Sequence, residues 1–216
     1  MLYVVGTPIG NLKDITLRAI EVLKNVDTIY CEDTRQSVKL IKEYGISKPL
    51  VSLHQHTHQE KLDAIIRELK TKDAAYVTDA GTPSISDPGG KLVEECQKAG
   101  IKVVPIPGAS SVTTLLSVAG VRADSYWFAG YVPTKKGRQT LLKKIIAFDE
   151  TTVVFETAPR LMKFFNELIS LGCSKKIIVG RELTKQFEEV VSGDATELIA
   201  YYTYNPAKGE FVIALA

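Results

Sequence analysis

The 216-residue chain predicts an α/β protein of two domains, the first built on a mainly parallel sheet and the second on a mixed sheet, each with flanking helices. Three observations predict it. Short β-type runs alternate with amphipathic helical stretches over the first 110 residues, a polar break with Gly120 follows at residues 119–125, and the strands beyond it include neighbours close enough to pair antiparallel. The expected division is 1–118 for the N-terminal domain, 119–125 for a linker and 126–216 for the C-terminal domain.

The elements follow in order. Leu2 to Val5, Thr28 to Cys31, Leu50 to Leu53, Ala74 to Thr78 and Lys102 to Ile106 read as strands. Thr16 is a suitable N-cap for a helix in which Leu17, Ile20 and Leu23 recur at helical spacing. Thr57-x-x-Glu60 has the form of a capping box ahead of Leu62, Ile65, Ile66 and Leu69. A helix from Val112 to Val118 closes the first part. The second part contributes strands near Trp127 to Gly130, Thr152 to Phe155, Lys176 to Val179, Glu188 to Ser192 and Phe211 to Leu215. Helices from Thr140 to Phe148, Leu161 to Leu171 and Ala195 to Tyr201 separate them.

Composition narrows the function classes. With 45% hydrophobic and 24% charged residues the chain reads as an ordinary globular protein. No apolar run approaches the roughly 20 residues of a membrane span, and Met1 leads directly into a strand, so a cytoplasmic protein without a membrane partner is expected. Cys31, Cys96 and Cys173 form no Cys-x-x-Cys pair, which argues against a disulfide framework or a zinc ribbon. The net charge of +2 is too small to argue for nucleic acid, but Lys135, Lys136, Arg138, Lys143 and Lys144 occur with no acid between Asp124 and Asp149. That segment is either a solvated helix face or a phosphate-contacting patch.

In a parallel sheet covered by helices, ligands sit at the carboxyl ends of the strands. The loops there read Gly6-Thr-Pro-Ile-Gly10-Asn11, Glu32-Asp33-Thr34-Arg35, Asp79 through Gly90 with the core Gly81-Thr82-Pro83-Ser84-Ile85, and Pro105 through Ser111. Pro8 stands where a dinucleotide-binding turn needs its second glycine, so pyrophosphate cannot be gripped in the usual way. A P-loop ending and a Gly-x-Ser-x-Gly elbow are both missing. Such loops suit a ligand held largely by backbone groups, or else serve turn geometry alone. His54, His56 and His58 alternate and could share a strand face as metal ligands, but the capping signal at Thr57 would scatter them, and no metal is expected.

Taken together, Gly6-Thr7-Pro8-Ile9-Gly10-Asn11-Leu12, Glu32-Asp33-Thr34-Arg35, Thr78-Asp79-Ala80-Gly81-Thr82-Pro83, Pro107-Gly108, Gly130-Tyr131-Val132-Pro133, Arg181-Glu182-Leu183-Thr184-Lys185 and Lys208-Gly209-Glu210 resemble the motif series of the ribosomal RNA small-subunit methyltransferase I family. The resemblance implies the fold of the tetrapyrrole methylase superfamily, with S-adenosylmethionine as methyl donor in a cleft between two α/β domains. It also implies a homodimer acting on 16S rRNA of the small ribosomal subunit, where a cytidine 2′-hydroxyl in the decoding region is methylated. By motif match, donor contacts fall to Pro8, Ile9, Thr82, Ser84, Ile85, Ser110, Ser111, Tyr131 and Thr157. Two stretches depart from the family pattern: Ala109 replaces a proline, and Glu156-Thr157-Ala158-Pro159-Arg160 replaces Glu-Ser-Pro-x-Arg. Family members usually continue beyond the position of Ala216 with a further helical segment.

A ribose hydroxyl is a weak nucleophile, so a nearby base would help. Glu32, Asp33, Asp79 and Glu156 are the catalytic candidates, each with an alternative as a cap or ion-pair partner, and Asp79 with one as an Asx turn before Gly81. Arg35, Lys135, Lys136, Arg138, Arg160, Arg181 and Lys185 are the candidate RNA contacts. Methylation of a tetrapyrrole or other small molecule, and a donor-binding ribosome-assembly module without catalysis, are the competing readings.

Overall fold

The computed structural model describes residues 1–53, 57–86, 89–206 and 208–216. It separates into two compact units, Met1–Ser110 and Ser111–Ala216.

In the first unit β1 (Leu2–Val5) leads through a short 3-10 turn (Leu12–Asp14) to α1 (Leu17–Asn25), whose Ala19 amide is capped by the Thr16 hydroxyl. There follow β2 (Thr28–Cys31), α2 (Thr34–Glu43), β3 (Leu50–Ser52), α3 (Gln59–Glu68), β4 (Ala74–Val77), α4 (Gly90–Lys98) and β5 (Val103–Ile106). All pairings are parallel and the strand order is β3-β2-β4-β1-β5. The core lies on both faces because a strand's side chains alternate. Ala75 and Val77 of β4 join Ala19, Leu23, Leu40 and Ile41 of α1 and α2 on one face. Ala74 and Tyr76 join Leu62, Ile65, Leu92 and Cys96 of α3 and α4 on the other. Helices after β1 and after β4 therefore depart to opposite faces although these strands are neighbours. That arrangement opens the crevice in which α/β sheets bind ligands, at the carboxyl ends of β1 and β4.

The helix expected after the Thr57-x-x-Glu60 pattern starts one residue later than a Thr57 cap requires. His58 is the N-cap, it makes no side-chain cap bond, and Glu60 is the second helical residue rather than the third. His54 and His56 lie outside the described residues; among those described, no group of three His, Cys, Asp or Glu could hold a metal. Among the described residues no helix is long and apolar enough to cross a membrane.

The second unit begins with α5 (Ser111–Val118), ahead of the expected linker, because α5 packs on strands of this unit: Leu115 lies over Gly180, where an added Cβ would come within 2.9 Å of its Cδ1. Then come β6 (Tyr126–Tyr131), α6 (Arg138–Ala147), β7 (Thr151–Thr157), α7 (Ala158–Ser170), β8 (Ile177–Arg181), β9 (Glu189–Gly193), α8 (Ala195–Tyr204) and β10 (Glu210–Leu215). The order is β6-β7-β10-β8-β9, with β6 and β7 parallel and the other pairs antiparallel, so the sheet is mixed as expected. Leu142 and Ile145 of α6, Leu161, Phe164 and Leu168 of α7, and Leu198 and Tyr202 of α8 close one core over Val154, Val179 and Ile213.

Candidate functional site

In the first unit the loops leaving β1, β4 and β5 are brought together by backbone. The Thr7 amide donates to the Gly81 carbonyl at 2.9 Å and the Gly81 amide returns a bond to Thr7 at 3.2 Å, a one-residue bridge between the first and third loops. The buried Thr7 hydroxyl reinforces it, within 3.3 Å of both the Thr78 and Gly81 carbonyls. Gly81 sits at φ +80°, a conformation that favours glycine, with Ile9 Cγ2 and the Ala109 carbonyl 3.5 and 3.7 Å from the place a Cβ would take. The fourth loop joins through Thr82, whose hydroxyl donates to the Ala109 carbonyl at 3.4 Å. It is also pressed against the first, because a Cβ on Gly108 would lie 2.7 to 2.8 Å from the backbone of Gly6.

Thus Ile9, Thr82 and the Ala109 carbonyl, which directly precedes Ser110, are drawn into one neighbourhood. Pro8 is buried, Ile9 half-buried, and Ile85 exposed on the third loop. Ser84 and Ser86 hold φ of +71° and +67°, left-handed conformations that a non-glycine residue adopts only where its surroundings impose them. Ser84 is fixed partly by close packing, since a Cβ on Gly89 would collide with its hydroxyl and with Tyr76. The loop stiffeners Thr7 and Thr78 were not among the expected site residues. Their signal in the sequence is a threonine within two residues of the end of each strand, Thr7 after β1 and Thr78 after β4.

The second loop contributes the charges. Asp33 is the N-cap of α2, accepting from the Arg35 amide at 2.8 Å, and its carboxylate is bracketed by the Arg35 guanidinium at 2.6 to 3.1 Å. Those bonds hold its pKa down to about 2. Arg35 itself is 88% exposed. The Asp33 amide donates to Asp79 Oδ1 at 3.2 Å, so the ends of β2 and β4 are tied, and Asp79 forms no Asx turn because the Gly81 amide it would need donates to the Thr7 carbonyl. Asp79 differs from Asp33: partial enclosure of its carboxyl, with the charge of Asp33 nearby, pushes its pKa above the ordinary range despite the opposing Asp33 amide and Arg35. Glu32 is half-buried beside them.

The second unit holds the remaining expected residues in two clusters. Arg138 is 3% exposed, not on the basic surface with its lysine neighbours. It shares the inward stripe of α6 with Leu142 and Ile145, at helical spacing, and binds Glu156 at 3.0 Å, Glu167 at 2.7 Å and the Pro133 carbonyl at 3.0 Å. Glu156 is buried as well; its other oxygen accepts from the Thr157 amide at 2.9 Å and is ion-paired with Arg160 at 2.7 Å, while the Arg160 Nε–H donates to the Thr157 hydroxyl at 3.1 Å. A carboxylate so occupied is a structural counter-ion. Lys135, Lys136, Lys143 and Lys144 are exposed, Lys144 lying 4.4 Å above the Trp127 ring. Tyr131 is 52% exposed, edge-on to Phe155 with ring centroids 5.2 Å apart, and Thr157 is half-buried. In the second cluster Lys185 bridges Glu182 and Glu210 at 3.0 and 2.9 Å, and Arg181 donates to the Lys208 carbonyl.

Residues 1–199 match the family Tetrapyrrole (Corrin/Porphyrin) Methylases. The fold agrees, since a crystal structure of diphthine synthase superposes with a TM-score of 0.79 at 18% identity, covering 99% of this chain and 88% of that one. Among curated proteins, "Ribosomal RNA small subunit methyltransferase I" of Escherichia coli O157:H7 is 43% identical over 98% of this chain and 76% of its own length. The protein of the same name from Borrelia garinii subsp. bavariensis is 42% identical over 100% of this chain and 98% of its own. The chain therefore belongs to the tetrapyrrole methylases and, within them, to the ribosomal RNA small subunit methyltransferase I family.

Proposed function

We propose that the protein transfers a methyl group from S-adenosylmethionine to the 2′-hydroxyl of a cytidine in the decoding region of 16S rRNA. The observation that carries the donor assignment is the convergence of the Gly6–Asn11, Thr78–Ser86 and Pro107–Ser110 loops at the crevice of a parallel sheet. The names of the relatives support the ribosomal substrate. The donor fits the residues present, because a sulfonium nucleoside needs apolar walls and carbonyl groups rather than a phosphate cradle. Ile9 and Thr82, the Ala109 carbonyl and Ser110 are the groups that would hold it.

When bound, the donor supplies an electrophilic methyl; the chain has to orient the acceptor oxygen, keep water away and take the hydroxyl proton. Of the four carboxylates considered, Asp33 is neutralised by Arg35 and Glu156 is locked between two arginines. Asp79 combines exposure with a raised pKa, the properties of a proton acceptor, and it is the base we assign. Exposed Lys135, Lys136 and Arg35 are assigned to backbone phosphates.

Methyl transfer from radiolabelled donor to small ribosomal subunits lacking ribose methylation, followed by nuclease mapping, tests the reading. One labelled 2′-O-methylcytidine near the decoding site is the expected product. Label on a tetrapyrrole, or subunit binding without transfer, would replace it with one of the competing readings.

A further inference from the structure

Arg138 and Arg160 come from different helices, yet each spends a guanidinium N–H on consecutive carbonyls of one turn. Arg138 Nη1 donates to Pro133 and Arg160 Nη1 to Val132, both at 3.0 Å. The same two side chains meet on the two oxygens of Glu156, which lies near the end of β7, and Glu167 of α7 fixes Arg138 from behind. The turn so gripped runs directly from Tyr131 at the end of β6 to the exposed Lys135 and Lys136. Charge balances, two arginines against two glutamates, which is the condition for such a group to persist in the interior. The arrangement is also overbuilt for stability alone. Arg138 Nη2 is buried with no hydrogen-bond partner, a cost that aliphatic residues at this position of the α6 stripe would avoid.

We infer that Glu156, Arg138 and Arg160 are positioning residues for the Val132–Lys136 turn, setting the place at which Lys135 and Lys136 meet RNA. A planar guanidinium suits this task because it can address a carboxylate and a backbone carbonyl together, which an ammonium group reaches less well. The role of the turn rests on the RNA-methylating reading above; the clamp itself does not.

The test uses Arg160→Gln, whose side chain is 23% exposed and less costly to replace than buried Glu156 or Arg138. Backbone hydrogen exchange in the free protein should quicken at residues 131–137 while the rest of the second unit is unchanged. With small subunits as substrate, KM should rise about tenfold with kcat within about twofold, the signature of lost positioning in substrate binding. In a Lys135→Ala/Lys136→Ala background the same change should add less than about twofold, because both act through one turn. Arg160→Lys, which keeps the charge but not the fork, should recover only part of the loss.

Unchanged exchange in folded R160Q would overturn the clamp. Quickened exchange with an unaltered KM, or effects that multiply with those of the lysine pair, would overturn its role in RNA placement. If the wild-type protein methylates no ribosomal RNA, the functional reading fails, and the exchange pattern alone decides whether the turn is clamped.

Discussion

Replacing Gly108 by alanine probes the apposition of the first and fourth loops. The new Cβ would lie 2.7 Å from the Gly6 carbonyl carbon and 2.8 Å from its Cα and oxygen, short of ordinary contact by about 0.6 Å. All three obstacles are backbone, so no rotamer change relieves them, and the exits of β1 and β5 must part. The bond from the Gly6 amide to Ile106, 2.9 Å long, spans the same gap and would stretch toward the limit of a hydrogen bond. Overpacking of this kind costs about 1–3 kcal/mol, and a weakened backbone bond up to about 1 kcal/mol more. A fall in Tm of about 5–15 °C is expected for a unit of this size. Because Ala109 and Ser110 follow at once, the Thr82 to Ala109 contact shifts too, and affinity for the adenosyl donor should drop at least about tenfold. Calorimetric titration with S-adenosylhomocysteine, beside a thermal scan, measures both. Gly6→Ala meets Gly108 from the other side at 2.8 Å, and the double variant should fall well short of additive. Normal ligand affinity in a folded G108A protein would refute the reasoning, since the apposed loops would then form no part of the donor site.

Asp79→Asn keeps an acceptor for the Asp33 amide but no base, so methyl transfer should fall about 10²- to 10⁴-fold with donor affinity retained. Its folded pKa is raised, so the ionised carboxyl opposes folding above that pKa and the penalty fades as pH falls through it. D79N should therefore match or exceed wild-type Tm at neutral pH, and wild-type activity should climb with pH through the Asp79 pKa; full activity in D79N would remove it as the base. Lys135→Ala/Lys136→Ala should weaken small-subunit binding and flatten its dependence on salt by roughly one to two logarithmic units of slope, measured by filter binding across salt concentrations. An unaltered slope would show that these lysines face no phosphate. Arg138→Met leaves buried Glu156 with Arg160 as its remaining cation and Glu167 with Gln139 in place of an arginine, and should cost about 3–5 kcal/mol, seen as a Tm lower by about 10 °C or more.

The parallel sheet was legible because each of its strands is a short apolar run spaced by a helix, and the mixed sheet because its later strands lie close together. The cap at Thr16 was legible for a local reason, one hydroxyl meeting one amide three residues on. Thr57 failed for the complementary reason, since the same pattern does not say which residue turns the chain into the helix. The division before α5 was not legible, because a helix with apolar residues around it can close either unit, and only the packing of Leu115 over Gly180 decides. Arg138 shows the limit most clearly. Its charge placed it with the lysines, whereas its spacing to Leu142 and Ile145 placed it inside, and the carboxylates that make the second outcome possible come from β7 and α7.

The first loop also explains chemically why a glycine-rich turn after β1 need not bind phosphate. A dinucleotide fingerprint works by leaving amide N–H groups of the turn free to face a pyrophosphate. Here the Gly6 amide is spent on Ile106, the Thr7 amide on Gly81, and Pro8 has none, so three successive positions offer no donor. The same bonds leave the turn rigid and its surroundings rich in carbonyls and aliphatic groups, an environment that penalises an anion but not a sulfonium cation. Pyrophosphate or ADP at millimolar concentration should then fail to displace S-adenosylhomocysteine in a competition titration, whereas the cationic analogue sinefungin should displace it. Competition by pyrophosphate would mean that the amide accounting around Gly6 to Pro8 does not govern what the crevice accepts.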